Sequence, residues 1–274
     1  MIKNSIKDNI ADTLFIPLYM KYRESNRKKA FFIDPFACKL VEKIDYDFTK
    51  YSKAVRSSVG VAIRAGYFDE LTRQFIINQT NPAVINIGCG LDTRFQRIGR
   101  KVTDKCVMYE LDIPEVIDLR RKLIPESDNN IYLSGSMFET DWMEMLKIKY
   151  SDADILILVE GVLMYFEKNR VKELFLNLAS HFKKAKIIFD VVSGWMCRNS
   201  HKHDSVKLTK AYFKFDCDDD LEMEQWSTDL KLESVKNYLE FPEWKKVGLI
   251  SYWIMKFVPV IKNASRMLCY RIGQ

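Results

Sequence analysis

From residue 83 onward, short apolar runs alternate with longer amphipathic segments. AVINIG (83–88), KCVMYELD (105–112), NIYLSGS (130–136), DILILVEG (154–161) and KIIFDVVS (186–193) are near-continuously apolar and rich in Ile, Val and Leu. Strands buried on both faces of a parallel sheet read this way, because helices cover each face and leave no polar side. The stretches between them have helical spacing. DIPEVIDLRRKLI has Pro114 near its start and Val116, Ile117 and Leu119 on one side. EKNRVKELFLNLASHFKKA sets Val171, Leu174, Phe175, Leu178 and Phe182 on one stripe. This alternation predicts a doubly wound α/β core with a mostly parallel sheet.

Residues 1–80 lack clear strand signals and offer helical stretches broken at Pro17, Pro35 and Pro82. They predict a helical N-terminal cap, 1–80, on a core spanning 81–274, and RESNRKKA reads as a solvated helix face. After residue 193 the pattern loosens. GWMCRNSHKHDS and FDCDDDLEMEQW predict an irregular or helical lid insertion at about 194–240. The apolar runs GLISYWIMKFVPVI and RMLCYRIG predict late strands or a hairpin closing the sheet.

Composition narrows the class. The 274 residues, 47% apolar and 29% charged, suit one large domain or one domain with an appendage. A net charge of +6 without a concentrated patch falls short of a nucleic-acid footprint. Cys38, Cys89, Cys106, Cys197, Cys217 and Cys269 show no C-x-x-C spacing and read as free thiols of a reducing compartment. LFIPLYM (14–20) is too short for a signal peptide and holds Pro17, and no run reaches the ~20 apolar residues of a spanning helix. The expectation is a cytoplasmic protein with no membrane and no nucleic-acid partner.

The chemistry-bearing residues fall at predicted strand ends, where open parallel sheets bind ligands. Gly88-Cys89-Gly90 ends the first strand, Asp112 the second with Glu110 two positions before it, Ser136 the third and Glu160-Gly161 the fourth; Asp190 lies near the end of the fifth. An acid after a glycine turn suits a ribose, in a dinucleotide or in S-adenosylmethionine. The dinucleotide fingerprint asks for a third glycine where Thr93 stands, and Asp92 beside it would repel a pyrophosphate. S-adenosylmethionine has no phosphate and carries a cationic sulfonium, which acids suit.

NIGCGLDTRFQRI, YELDIPEVIDLRRKL and LVEGVLMYF together resemble the leucine carboxyl methyltransferase family. The N-terminal DTLFIPLYMKYRESNRKKAFFIDPFACKLVEKIDYDF is similar to its bacterial branch, the tetracenomycin-type polyketide O-methyltransferases. The resemblance runs from about residue 12 to 192. It implies a seven-stranded class I methyltransferase sheet, S-adenosylmethionine as methyl donor with S-adenosylhomocysteine as product, and methylation of oxygen, often of a carboxylate. It implies that Arg64 pairs with the cofactor's carboxylate, that Gly88, Cys89 and Gly90 lie against the cofactor, that Asp112 holds the ribose hydroxyls and that Glu160 sits beside the amino group. Where many members place Asp-Leu against the adenine, this chain has Ser136-Met137. Tyr165 lines the acceptor pocket or belongs to the core, and Asp92, Thr93 and Arg94 brace the loop or touch the ligand.

Other constellations fall short. His201 and His203 in HKHD have no evident third ligand, so no metal is expected. DCDDDL has Leu221 where a calcium loop needs glycine, and reads as a solvated acidic turn. Gly-x-Ser-x-Gly is absent, which weakens a hydrolase. Glu160-Gly161-Val162-Leu163 occupies the place where nitrogen methyltransferases of nucleic acids often carry Asn/Asp-Pro-Pro-aromatic. A carboxylate acceptor, ionised at neutral pH, needs no general base. The expected partner is a small molecule or a protein carboxyl terminus. The alternatives are a hydroxyl acceptor and a sensor that binds the cofactor without chemistry.

Overall fold

In the computed structural model, which describes residues 2–3, 6–151 and 153–273, the five apolar runs form β1 (Pro82–Ile87), β2 (Val107–Asp112), β3 (Asn130–Ser134), β4 (Asp154–Val159) and β5 (Lys184–Val192). With β6 (Leu230–Asn237) and β7 (Ser265–Gly273) they make one seven-stranded sheet in the order β3-β2-β1-β4-β5-β7-β6. Strands β1 to β5 pair in parallel, and β7 runs antiparallel to both β5 and β6. Around the sheet lie α1 (Phe15–Ser25), α2 (Pro35–Lys43), α3 (Val55–Asn78), α4 (Arg94–Ile98), α5 (Pro114–Leu123), α6 (Asp141–Lys149), α7 (Lys168–His181) and α8 (Leu249–Phe257).

The unbroken apolar texture of the strands follows from cover on both faces. Along β4, Ile155, Ile157 and Val159 pack with Leu174, Phe175 and Leu178 of α7, while Leu156 and Leu158 pack with Val59, Ile63 and Phe68 of α3. Leu174, Phe175 and Leu178 are fully buried, and each such side chain stabilises the fold by about 1.5–3 kcal/mol. Thus α3, in the predicted cap, shares the core of one sheet face. The rest of the N-terminal region packs over α5, with Phe15 and Leu18 against Val116 and Leu119.

Three local expectations need correction. GLISYWIMKFVPVI is not a strand: it forms α8 and a further turn at Pro259–Lys262, and RMLCYRIG alone enters the sheet as β7. Its apolar side chains stay largely exposed, so no second sheet face imposes a strand period. The partner of β7 is β6, from the stretch expected to be a lid insertion. LKLESVKN pairs with β7 and carries polar side chains, so it lacked the apolar signature of the central strands. RESNRKKA is only partly helical, since α1 ends at Ser25, and Glu24 is buried against Arg27 (2.8 Å).

Connectivity positions the site. β1 lies between β2 and β4, with Ile87 opposite both Leu111 and Val159. The chain winds outward from β1 to β3 and then returns to β4, so the switch point falls at the carboxyl ends of β1 and β4, where such sheets bind ligands.

Candidate active site

β1 stops because the chain must turn sharply. Gly88 and Gly90 have φ of 65° and 52°, values that side chains disfavour. The Gly88 and Cys89 amides donate to the Leu111 carbonyl (2.8 and 3.1 Å), tying the turn to the end of β2. A Cβ on Gly88 would lie 2.5 Å from Val162 Cγ2. The bare backbone at Gly88 therefore makes room for Val162, a packing reason that adds to ligand approach. Cys89 turns its side chain toward Ile117 and Tyr132, and burial pushes its thiol well above the usual range.

Asp112 locks the turn from β2. Its Oδ2 accepts the Gly90 amide and its Oδ1 the Ile113 amide, both at 2.8 Å. Burial pushes its carboxyl up to about 6, against the pull of those two N–H groups. Glu110 has a different role: it is fully buried, pairs with Arg120 (3.1 Å) and accepts from Asn86 (2.8 Å). Arg120 also donates to the carbonyls of Gly90 (3.1 Å) and Asp92 (2.7 Å), so it clamps the far side of the turn. Sequence reasoning gave Arg120 no role, although a cation one helical turn beyond Val116 on the apolar stripe of α5 signals a buried partner.

Around the ends of β1 and β4 runs a continuous ion network. Arg64 of α3 donates to Glu160 (3.0 Å) and Asp190 (2.8 Å). Arg94 pairs with Glu160, with Asp69 (2.9 Å) and with Asp92 (3.2 Å). Arg97 pairs with Asp69 (2.7 Å), Asp34 (2.8 Å) and Asp92 (3.0 Å), and Lys21 of α1 with Asp92 (2.7 Å). Burial pushes Asp92 and Glu160 upward, but the cations win: Arg97, Lys21 and Arg94 hold Asp92 well below the usual range, and Arg94 and Arg64 hold Glu160 below it. At Asp190 burial wins over Arg64 and the carboxyl is raised. Thr93 and Arg94, fully buried, brace the loop. Asp92 both braces and borders the cavity.

Gly161, at φ 72°, is where this network meets the backbone: its amide donates to Asp190 (2.6 Å), and a Cβ there would lie 2.6 Å from Arg64 Nη2. Gly161→Ala is expected to cost about 1–2 kcal/mol for the left-handed backbone and to push Arg64 off Glu160. A melting curve and S-adenosylhomocysteine calorimetry check it. Wild-type values for both would mean that the turn adapts.

These elements surround a cavity of about 780 Å³. Arg64, Gly88, Cys89, Gly90, Asp112 and Glu160 all border it, as do Ser136, Met137 and Tyr165. These nine residues, singled out from the sequence, thus lie along one cavity, whereas Thr93 and Arg94 do not border it. Ser136 Oγ accepts the Phe138 amide (3.2 Å), and Met137 is buried. Tyr165 is buried edge-on to Phe213, and burial pushes its phenol up to about 12, so it stays protonated at neutral pH. His203 borders the cavity while His201 is exposed and outside its lining. Burial lowers the imidazole of His203, and its Nδ1 accepts the Val206 amide (3.4 Å). The acidic run is more than a solvated turn: Asp218 holds the Gly194 amide (3.0 Å) and Asp220 pairs with Arg266 of β7 (2.6 Å).

The strand order, the glycine turn at the switch point and the acid ending β2 define a class I methyltransferase that depends on S-adenosylmethionine. The sequence model described as leucine carboxyl methyltransferase matches residues 18–179, more than half of the chain, and the protein belongs to that family. Over 264 residues it is 25% identical to the tetracenomycin polyketide synthesis O-methyltransferase TcmP of Streptomyces glaucescens, spanning 95% of this chain and 96% of TcmP. Among solved structures, a DUF574 family protein from Streptomyces avermitilis superposes with a TM-score of 0.56 at 11% identity, covering 95% of this chain and 97% of that one. Geranyl diphosphate C-methyltransferase from Streptomyces coelicolor, solved with Mg2+, geranyl-S-thiolodiphosphate and S-adenosylhomocysteine, superposes with a TM-score of 0.54 at 10% identity, covering 94% and 98%.

Proposed function

We propose that the protein transfers a methyl group to the carboxylate of a small molecule, making a methyl ester. The observation that carries this reading is at the cavity mouth. Arg56, Lys202 and Lys262 border the cavity, are exposed, and form no ion pair among the described residues. Unpaired cations at a mouth attract and orient an anion. The similarity to a polyketide-synthesis O-methyltransferase supports an acceptor oxygen and suggests a polyketide-like acid.

The residues present fit the cofactor by charge. The network sets four cations, Lys21, Arg64, Arg94 and Arg97, against five acids, Asp34, Asp69, Asp92, Glu160 and Asp190, and Asp112 adds a further acid beside it. A ligand carrying a sulfonium, an ammonium and one carboxylate has the net positive charge that this excess of acid accommodates. Asp112 would accept the ribose hydroxyls, and Glu160 and Asp190 would face the ammonium. Arg64, whose Nη2 donates to neither acid, would take the carboxylate. Ser136 and Met137 would border the purine. When bound, S-adenosylmethionine supplies a methyl group on a cationic sulfur to an oxygen nucleophile in line with it.

The protein's own work is then alignment and exclusion of water. A carboxylate is ionised at neutral pH and asks for no base. Tyr165 is held protonated, and the Nδ1 lone pair of His203 already accepts a backbone N–H. One observation favours a second reading, methylation of a hydroxyl: His203 borders the cavity and burial keeps its imidazole neutral at neutral pH, the state a general base requires.

Labelled cofactor and an extract of candidate acids separate the two. For a carboxylate, the label is released by mild alkali and the maximal rate is nearly flat from about pH 6 to 8.5. His203→Asn then changes the rate by no more than about three-fold, because no proton passes through it. For a hydroxyl, the label resists alkali. The rate then falls as pH drops through a pKa below the ordinary histidine value, and His203→Asn costs about a hundred-fold or more.

A further inference from the structure

We infer that α8 and the turn after it form a docking surface for an anionic lipid bilayer, against the expectation from sequence that no membrane is involved. The helix has two unlike faces. Tyr252 is buried in the core, and Ser251 and Met255 border the cavity. Ile250, Trp253 and Phe257 recur at helical spacing on the opposite side, and Ile250 and Phe257 are 80% and 73% exposed; Ile254 lies between the two faces, exposed and also bordering the cavity. Leu249 and Val260 extend the patch at either end, 65% and 47% exposed. Large apolar side chains in one contiguous exposed patch mark an interaction site.

Charge selects the occupant. From Trp244 to the end of the chain there is no acidic residue. Lys245 and Lys256 flank the patch without an ion pair among the described residues, and Lys246 reaches the Lys29 carbonyl (2.5 Å), bringing the basic Lys28-Lys29 turn alongside. A second copy of this chain would bring lysines against lysines. An anionic lipid surface satisfies both features: apolar side chains enter the acyl boundary while lysines meet headgroups. At nine residues α8 is about 14 Å long, far short of a bilayer, so it would lie in the interface plane. Among the described residues no helix is long and apolar enough to cross a membrane. The inner face of α8 roofs the cavity, so docking sets the entrance for the acceptor beside the lipid. The inference holds whether that acceptor is an acid or an alcohol.

The test is co-sedimentation of the full chain with vesicles of phosphatidylcholine alone and of phosphatidylcholine and phosphatidylglycerol in equal parts. Binding is expected to the mixed vesicles, to weaken with salt, and to fall at least about ten-fold in Ile250→Glu/Phe257→Glu. Neither of those side chains borders the cavity, so S-adenosylhomocysteine affinity and melting temperature serve as folding controls. Brominated lipid should quench tryptophan emission in the wild type and much less in Trp253→Phe. Absence of binding to the mixed vesicles overturns the inference. So does a dimer in sedimentation velocity that the double variant dissociates, since the face would then be a self-interface.

Discussion

Asp112→Ala is expected to weaken S-adenosylhomocysteine binding roughly ten- to a thousand-fold while moving the melting temperature little at pH 7. Hydrogen bonds to a charged group are worth about 1.5–3 kcal/mol each, and two ribose hydroxyls would be lost, with water recovering part of the difference. Stability is a balance of two opposed effects. Alanine leaves the Gly90 and Ile113 amides without their acceptor, at about 1–3 kcal/mol each if water cannot reach them. Against this, the Asp112 carboxyl is pushed from 3.8 up to about 6 in the folded chain. A raised acid favours the fold when protonated, and that contribution is lost as pH rises through about 6. At pH 7 the ionised group therefore costs on the order of 3 kcal/mol, which alanine removes. The same pKa gives the ligand a pH dependence. Ribose donors prefer the ionised acceptor, so affinity should climb as pH rises through about 6 and level off above it, and the alanine variant should lose that climb. Titration calorimetry at several pH values decides. Undiminished affinity in the variant would remove Asp112 from the site, and no pH dependence in the wild type would mean that the carboxyl is already ionised at low pH. Glu110, buried and held by Arg120, Asn86 and Asn130, is left unable to take over the role.

The central sheet was readable because strands covered on both faces are apolar at every position, a pattern that survives without any knowledge of topology. Gly88, Asp112 and Glu160 were readable for the same reason: each ends such a run, and parallel strands bring those ends to one edge. β6 was not, since LKLESVKN pairs only with β7 and carries no apolar run. α8 was misread because its apolar side chains are not buried, so the link from hydrophobicity to a sheet face fails there. Most of the ion network was also hidden. Lys21, Asp34 and Asp69 come from three separate N-terminal helical segments, and only the packing of α1, α2 and α3 over the glycine turn brings them to Arg97 and Asp92. Each charge, read alone, is an ordinary exposed residue on an amphipathic helix. The placing of Arg64 between Glu160 and Asp190 likewise emerges only when α3 packs against the ends of β4 and β5.

Arg94 is the centre of that network, and its removal should have the larger effect on the fold. The guanidinium is fully buried and faces Asp69, Asp92 and Glu160, drawn from α3, the glycine turn and the end of β4. Arg94→Ala would leave buried carboxylates short of a partner and open a cavity, and breaking a buried pair from one side costs about 3–5 kcal/mol. That is a large share of the roughly 5–15 kcal/mol by which such domains are stable. The sign of the pH effect follows from the shifts in the wild type. Asp92 and Glu160 are held below their ordinary values, so their contribution is present above those values and is lost only as pH falls through the lowered ones. Without Arg94, Glu160 loses the larger of its two cationic partners and its carboxyl moves up under burial. The folded variant can then neutralise Glu160 in mild acid, which the wild type has no reason to do. Urea denaturation should therefore show a deficit of several kcal/mol at about pH 7 that shrinks at about pH 5. A deficit below about 1 kcal/mol would mean that Arg64 and Arg97 carry the network without it. An equal deficit at both pH values would assign the loss to packing of the guanidinium over Phe68 rather than to unpaired charge.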